Sequence, residues 1–81
     1  MNKVEITEKL MLIFRDVFDD EGIMLSEKTT PEDIENWDSI GHVYLTADIE
    51  DEFSIELGEE MSEIENVGDI IDIIIGKINT K

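Results

Sequence analysis

The sequence predicts an all-α fold, with three substantial helices and one or two short ones behind a long first connection, in a single domain over residues 1–81. Apolar residues recur at steps of three and four along separate stretches, and residues able to cap a helix stand ahead of each stretch. Size sets the scale. A chain of 81 residues makes one domain with a modest core, which argues against a large internal active-site cavity.

In the first segment Ile6, Leu10, Ile13, Phe14, Val17 and Phe18 form one apolar face. Asn2, followed three residues later by Glu5, has the form of a capping box, so this helix should start near residue 3 and end around Asp19 or Asp20, ahead of Gly22. The connection "DDEGIMLSEKTTPEDIENW" follows, in which Ile23 and Leu25 can plug the bundle while the polar residues stay wet. Thr30 before Pro31 marks an N-cap and first helical position, giving one short turn through Ile34. The connection exceeds the usual helix-to-helix length, and such loops are often functional.

The next helix is expected to begin at Asp38, whose carboxylate can accept from the unpaired amides of Ile40 or Gly41. His42, Leu45, Ile49 and Phe53 make a stripe suited to the core, while Ile40, Val43 and Ala47 lie on an adjoining strip flanked by Tyr44. That second strip is either a docking surface or part of a helix buried over a wide arc, and the sequence leaves both open. Beyond Phe53, the residues Leu57, Met61 and Ile64 support a short helix starting near Gly58. Asn66 then caps a final helix, with Asp69 three residues on and Val67, Ile70, Ile71, Ile74 and Ile78 facing inward. Ile73 and Ile75 would also suit a strand, but period and length favour helix.

Composition narrows the function. The 22 acidic residues against 6 basic ones leave a formal net charge of -16. Nucleic acid is excluded as a partner, because its phosphates would be repelled and no basic patch exists to release counterions. Basic protein surfaces suit this charge, which speeds their encounter. The 41% hydrophobic content at helical spacing argues against disorder. Without cysteine there is no disulfide, thiolate metal site or thiol nucleophile, which fits a reducing compartment. The stretch "MNKVEITEKL" signals no export. The run "IIDIIIG", broken by Asp72, is far short of the ~20 residues of a membrane span. A cytoplasmic monomer is expected.

Two site chemistries fail on inspection. Ser39 and His42 are three apart on one helix, but Asp38 would have to cap that helix and also orient the far side of the imidazole, and no oxyanion hole or substrate pocket is evident. No catalytic residue is therefore expected, and His42 reads as a partly buried residue satisfied by a local hydrogen bond. Aligning Gly22 with the glycine of an EF-hand loop puts Val17 and Lys28 where carboxylates are needed, so no metal site is expected.

The stretch "DSIGHVYLTADIEDEF" resembles the acyl carrier protein pattern: Asp-Ser, an aliphatic residue, then a helix of apolar and acidic positions closing on Phe. The segments "FSIEL" and "NVGDIIDIII" continue the match, so the resemblance covers nearly the whole chain. It implies an antiparallel-type four-helix bundle of acyl-carrier type, with a long first loop and a short third helix. It further implies a noncatalytic carrier whose Ser39 hydroxyl bears 4'-phosphopantetheine, attached by a separate phosphopantetheinyl transferase. Cargo would be held as a thioester on the terminal thiol, so the sulfur comes from the cofactor. By the same resemblance Asp38, besides capping, is a contact for the transferase's magnesium. The implied partners are acyl-loading and acyl-transferring enzymes with basic docking surfaces, and the residues expected to meet them are Ile40, Val43, Tyr44, Ala47, Glu50 and Asp51, with Glu52 beside them.

The placement makes independent physical sense, since a phosphodiester at the first turn of a helix meets free amides and the positive end of the dipole, worth up to ~1 kcal/mol when exposed. Gly41 costs ~1 kcal/mol of helix propensity relative to alanine, and either keeps the backbone uncrowded or is merely tolerated near a helix end. Ile40 replaces the family's commonest leucine, His42 and Tyr44 stand where many members carry small polar or acidic residues, and Trp37 precedes the motif. These neighbours bear on which synthases or transferases the carrier meets. An aminoacyl or peptidyl carrier of a specialised pathway shares the serine and differs in cargo. An unmodified acidic helical adaptor would use the same strip without the arm. Strong acidity favours acyl cargo, and leaves fatty acyl against polyketide open.

Self-repulsion at this net charge should destabilise the fold, so added salt or magnesium raises the melting temperature. A melting point that stays fixed across both titrations would show that the repulsion contributes nothing.

Overall fold

The computed structural model describes residues 2–79. Three α-helices, α1 (Lys3–Val17), α2 (Ser39–Phe53) and α3 (Val67–Asn79), alternate with two short 3-10 segments, Pro31–Asp33 and Glu59–Glu63. No strand occurs among the described residues. Helix α1 packs against both α2 and α3. No helix of the described residues is long and apolar enough to cross a membrane.

Helix α1 begins as its capping box dictates: the Glu5 amide donates to Asn2 Oδ1 at 2.9 Å, and Glu5 Oε1 accepts from the Asn2 amide at 3.4 Å. It ends at Val17, two or three residues earlier than expected from the sequence. Asp19 adopts φ 49, and the amides of Asp19 and Asp20 turn back to the carbonyls of Asp16 and Arg15. That is the Schellman pattern with aspartate in the position glycine usually takes. Helix α2 closes in a related way, with Ser54 at φ 54 and the Ile55 amide bonded to the Glu50 carbonyl, which turns Ile55 into the core.

Four of the six expected inward residues of α1 are buried within the helix, Phe18 is buried just beyond it, and Val17 packs on the core's edge. Leu45, Ile49 and Phe53 of α2 and Val67, Ile70, Ile71 and Ile74 of α3 complete the core, with Ile73, Ile75 and Ile78 packed at its margin.

The long first connection is ordered by specific bonds. Ile23 is buried, and its carbonyl accepts from Arg15 Nε at 3.0 Å. The carbonyls of Glu27 and Thr29 accept from the amides of Gly68 and Val67 at 2.9 and 2.8 Å, so this loop satisfies donors that the start of α3 leaves unpaired. Asn66 Oδ1 takes the Asp69 amide, as the sequence suggested. Thr30 and Pro31 open the short turn as expected, but Asp33 supplies the capping oxygen, accepting from both the amide and the hydroxyl of Thr30.

The short third helix is a five-residue 3-10 run after Gly58. Only Met61 of these five is fully buried, so packing gives little reason to extend it into an α-helix. Lys77 of α3 holds Glu60 at 3.0 Å and keeps that carboxyl below its ordinary range. Lys3 pairs with Glu27 at 2.6 Å, which raises the ammonium above its usual value, and Lys9 pairs with Glu52 at 3.2 Å across α1 and α2.

Candidate functional site

The approach to α2 is a tight corner. Ile34 and Trp37 are both buried, and the Trp37 amide bonds to the Ile34 carbonyl. Between them Asn36 takes φ 71, a left-handed conformation that asparagine tolerates better than most residues. The Trp37 ring is 7% exposed and meets Phe14 edge-on at 5.0 Å and Phe18 at 6.2 Å between centroids. Burying roughly 200 Å2 of indole at ~25 cal/mol per Å2 contributes on the order of 5 kcal/mol, enough to fix the corner on the core.

The residue after Trp37 is therefore held in place. Asp38 is the N-cap of α2, and its Oδ1 accepts from the Gly41 amide at 2.9 Å, one of the two amides expected from the sequence. Ser39 is the first helical residue and is exposed. Among the described residues the amides of Ser39 and Ile40 have no protein partner, so an exposed hydroxyl stands beside two free donors at a helix N-terminus. This arrangement fits a phosphate ester on Ser39.

Gly41 is required by close approach. A Cβ there would lie 2.6 Å from the Asn36 carbonyl oxygen and 2.7 Å from Phe18 Cε1. Of the two readings the sequence left open, tolerance near a helix end is the one that fails.

His42 is the partly buried, locally satisfied residue that the sequence suggested. Its Nδ1 accepts from Trp37 Nε1 at 3.0 Å, so the ring proton sits on Nε2, which donates to the Met61 carbonyl at 2.7 Å. The two ring planes are 15° apart with centroids 6.1 Å apart, an edge-to-edge arrangement set by the hydrogen bond rather than a face-to-face stack. Both ring nitrogens are committed and Asp38 is occupied as a cap, so Asp38, Ser39 and His42 form no triad.

From Ser39 a surface groove of ≈ 420 Å3 runs over Trp37, His42 and Met61, bordered by Pro31, Ser62 and Ile64. The sequence sets Trp37 among the neighbours that bear on partner choice, whereas its ring is buried beneath the groove, and it marks Met61 only as an apolar residue of the short helix. The lone tryptophan next to a helix cap was the available signal for the first, whereas nothing local announces the Met61 carbonyl.

On the outer side of α2, Ile40 and Val43 are each 67% exposed and Tyr44 63%, with Ala47 exposed beside them. The strip is therefore a free surface, and the alternative of a helix buried over a wide arc is excluded. The expected acidic residues divide. Asp51 lines a groove of ≈ 410 Å3 between α1 and α2, together with Asp48, Asp16 and Leu12, and Glu52 is engaged by Lys9. Glu50 is turned the other way, its Oε2 accepting from the Leu57 amide at 2.8 Å.

A small acidic helical bundle with an exposed serine at the head of its second helix belongs structurally with carrier proteins. No family profile matches the chain, and no curated protein sequence does. Among solved structures, the solution structure of the holo acyl carrier protein from Geobacter metallireducens superposes with a TM-score of 0.84 at 36% sequence identity, over 91% of this chain and 86% of that one. The chain belongs to the acyl carrier protein family.

The Gly41 environment makes a prediction in which two effects oppose each other. Helix propensity alone would have Gly41→Ala stabilise by ~1 kcal/mol. Contact with Asn36 and Phe18 should outweigh this and leave a net loss of about 1–3 kcal/mol. Urea denaturation measures the sign, and a stabilised variant would show that the corner yields without strain.

Proposed function

We propose that this chain is a noncatalytic acyl carrier, a single carrier domain and a monomer, on which Ser39 bears 4'-phosphopantetheine. The observation that carries this reading is the exposed Ser39 hydroxyl at the first position of α2, beside the free amides of Ser39 and Ile40. In a reaction performed by a separate transferase, Ser39 Oγ forms a bond to the phosphopantetheine phosphorus of coenzyme A as the pyrophosphate P–O bond breaks, releasing adenosine 3',5'-bisphosphate and the hydroxyl proton. The arm supplies a thiol that holds cargo as a thioester, which a cysteine-free chain cannot provide itself. The role of this chain is to hold the serine outward, to complement the phosphate with the α2 N-terminus, and to present a surface to partner enzymes. Asp38 keeps one carboxylate oxygen on Gly41, leaving the other for a transferase-bound magnesium.

We further propose that partners with basic docking surfaces meet the Ile40, Val43, Tyr44 and Ala47 strip and Asp51, with fatty acyl or polyketide groups as the cargo. Charge steers such encounters, and the apolar strip supplies contact area. The chain acts in the cytoplasm. The same exposed strip also favours an unmodified adaptor, and the attachment test separates the two.

With a broad-specificity phosphopantetheinyl transferase and coenzyme A, intact mass should show one phosphopantetheine added to the wild type and none to Ser39→Ala. An unmodified wild type would overturn the carrier reading and leave the adaptor. Charge reversal tests the surface. Asp51→Lys should slow loading without lowering the melting temperature, since it also relieves repulsion with Asp16 and Asp48, whereas Glu50→Lys should lower the melting temperature, because it removes the acceptor of the Leu57 amide. Equal kinetics for wild type and Asp51→Lys with every partner tested would remove Asp51 from the docking surface.

A further inference from the structure

The groove beside Ser39 has a floor of an unusual kind. Trp37 and Met61 are buried residues, and His42 joins them by two hydrogen bonds, Trp37 Nε1–H to Nδ1 at 3.0 Å and Nε2–H to the Met61 carbonyl at 2.7 Å. These bonds tie together three separate elements: the corner before α2, α2 itself, and the 3-10 segment Glu59–Glu63. Under this floor lie Phe14, wholly buried, and Phe18, both against the Trp37 ring.

We propose that the Trp37–His42–Met61 relay bolts the route from Ser39 to the bundle core, so that cargo tethered at Ser39 rests in the surface groove and does not enter between the helices. The proposal rests on the carrier reading given above. An acyl chain passing inward at this point must part the relay. That leaves the indole N–H, the imidazole and the Met61 carbonyl without partners against a hydrocarbon that can donate and accept nothing. It must also displace Trp37 from Phe14 and Phe18, which exchanges one apolar contact for another with little gain. The groove asks for neither, because Pro31, Ile64 and the Trp37 edge offer a tethered chain partial shelter with every hydrogen bond kept. His42 acts through Trp37 and Met61 and is a positioning residue. The carrier is thereby suited to short acyl groups, which the groove can cover, and long chains remain largely in water.

The test uses wild type, His42→Ala and Trp37→Phe, each loaded from acetyl-coenzyme A or octanoyl-coenzyme A by a broad-specificity transferase and checked by intact mass. Melting temperatures and the NMR ring signals of Phe14 and Phe18 are then compared between the two cargoes. In the wild type the two forms should melt within about 1 °C of each other, with matching ring signals. In both variants the octanoyl form should melt several degrees above the acetyl form, as expected when a ligand binds only the folded core, and the ring signals should shift. Trp37→Phe retains an aromatic ring and decides the matter if His42→Ala fails to fold, its Phe14 and Phe18 signals being read within the variant. A wild type whose octanoyl form already melts higher with shifted rings would overturn the bolt, as would variants that behave like the wild type. Failure to gain mass at all would overturn the carrier reading instead, so the two failures are told apart.

Discussion

Burial of Trp37 is the constraint on which the site depends. The indole is seated on Phe14 and Phe18, so the backbone on its C-terminal side must emerge from the core at a fixed place and direction. Asn36 meets this by adopting a left-handed conformation, Asp38 by capping the next helix, and Gly41 by offering no side chain where the Asn36 carbonyl and the Phe18 ring press in. Ser39 is exposed because the two residues before it are committed, Trp37 inward and Asp38 to the helix end. An outward serine on a rigid helix start keeps any group joined to it accessible to other proteins, while the attachment point itself does not wander.

The same constraint couples distant parts of the chain. His42 lies one turn along α2, and its two ring nitrogens carry the position of Trp37 across to Met61, 19 residues away in sequence. Lys77 then fixes the 3-10 segment to α3 through Glu60, and the carbonyls of Glu27 and Thr29 fix the first loop to the start of α3. The two irregular connections are thus each tied to α3, the first through backbone amides at the helix start and the second through a surface ion pair. Such ties act together with the buried Ile23, Ile34, Trp37, Ile55 and Met61 to give the connections a defined path.

Features that depend on local spacing were legible in the sequence. The Asn2 and Glu5 box, the Asp38 cap, the Asn66 cap and the three apolar stripes need only neighbours within a turn or two, and all four appear in the structure. The exposed serine followed from the cap, since the residue after an N-cap is fixed by helix geometry. What could not be read depends on contacts between residues far apart. Whether Gly41 was tolerated or required turned on Phe18, 23 positions earlier, and on how the corner folds back. The early end of α1 turned on Asp19 accepting a left-handed conformation without being glycine. The third helix was placed correctly, but its 3-10 form reflects how little of it the core can hold.

The acidic residues show how far charge is a requirement of the fold. Glu27, Glu52 and Glu60 each hold a lysine, and Glu5, Asp20, Asp33, Asp38, Glu50 and Asp69 each accept from a backbone amide. Carboxylates in these positions complete helix ends and turns, and neutral acceptors such as asparagine could do much of the same work. The carboxylates of Asp16, Asp48 and Asp51 have no hydrogen bond or ion pair among the described residues, yet they gather along the groove between α1 and α2, where their mutual repulsion opposes folding and Lys9 alone offsets it. This is charge that the fold does not use, and it lies beside an exposed apolar strip on the helix that begins at Ser39.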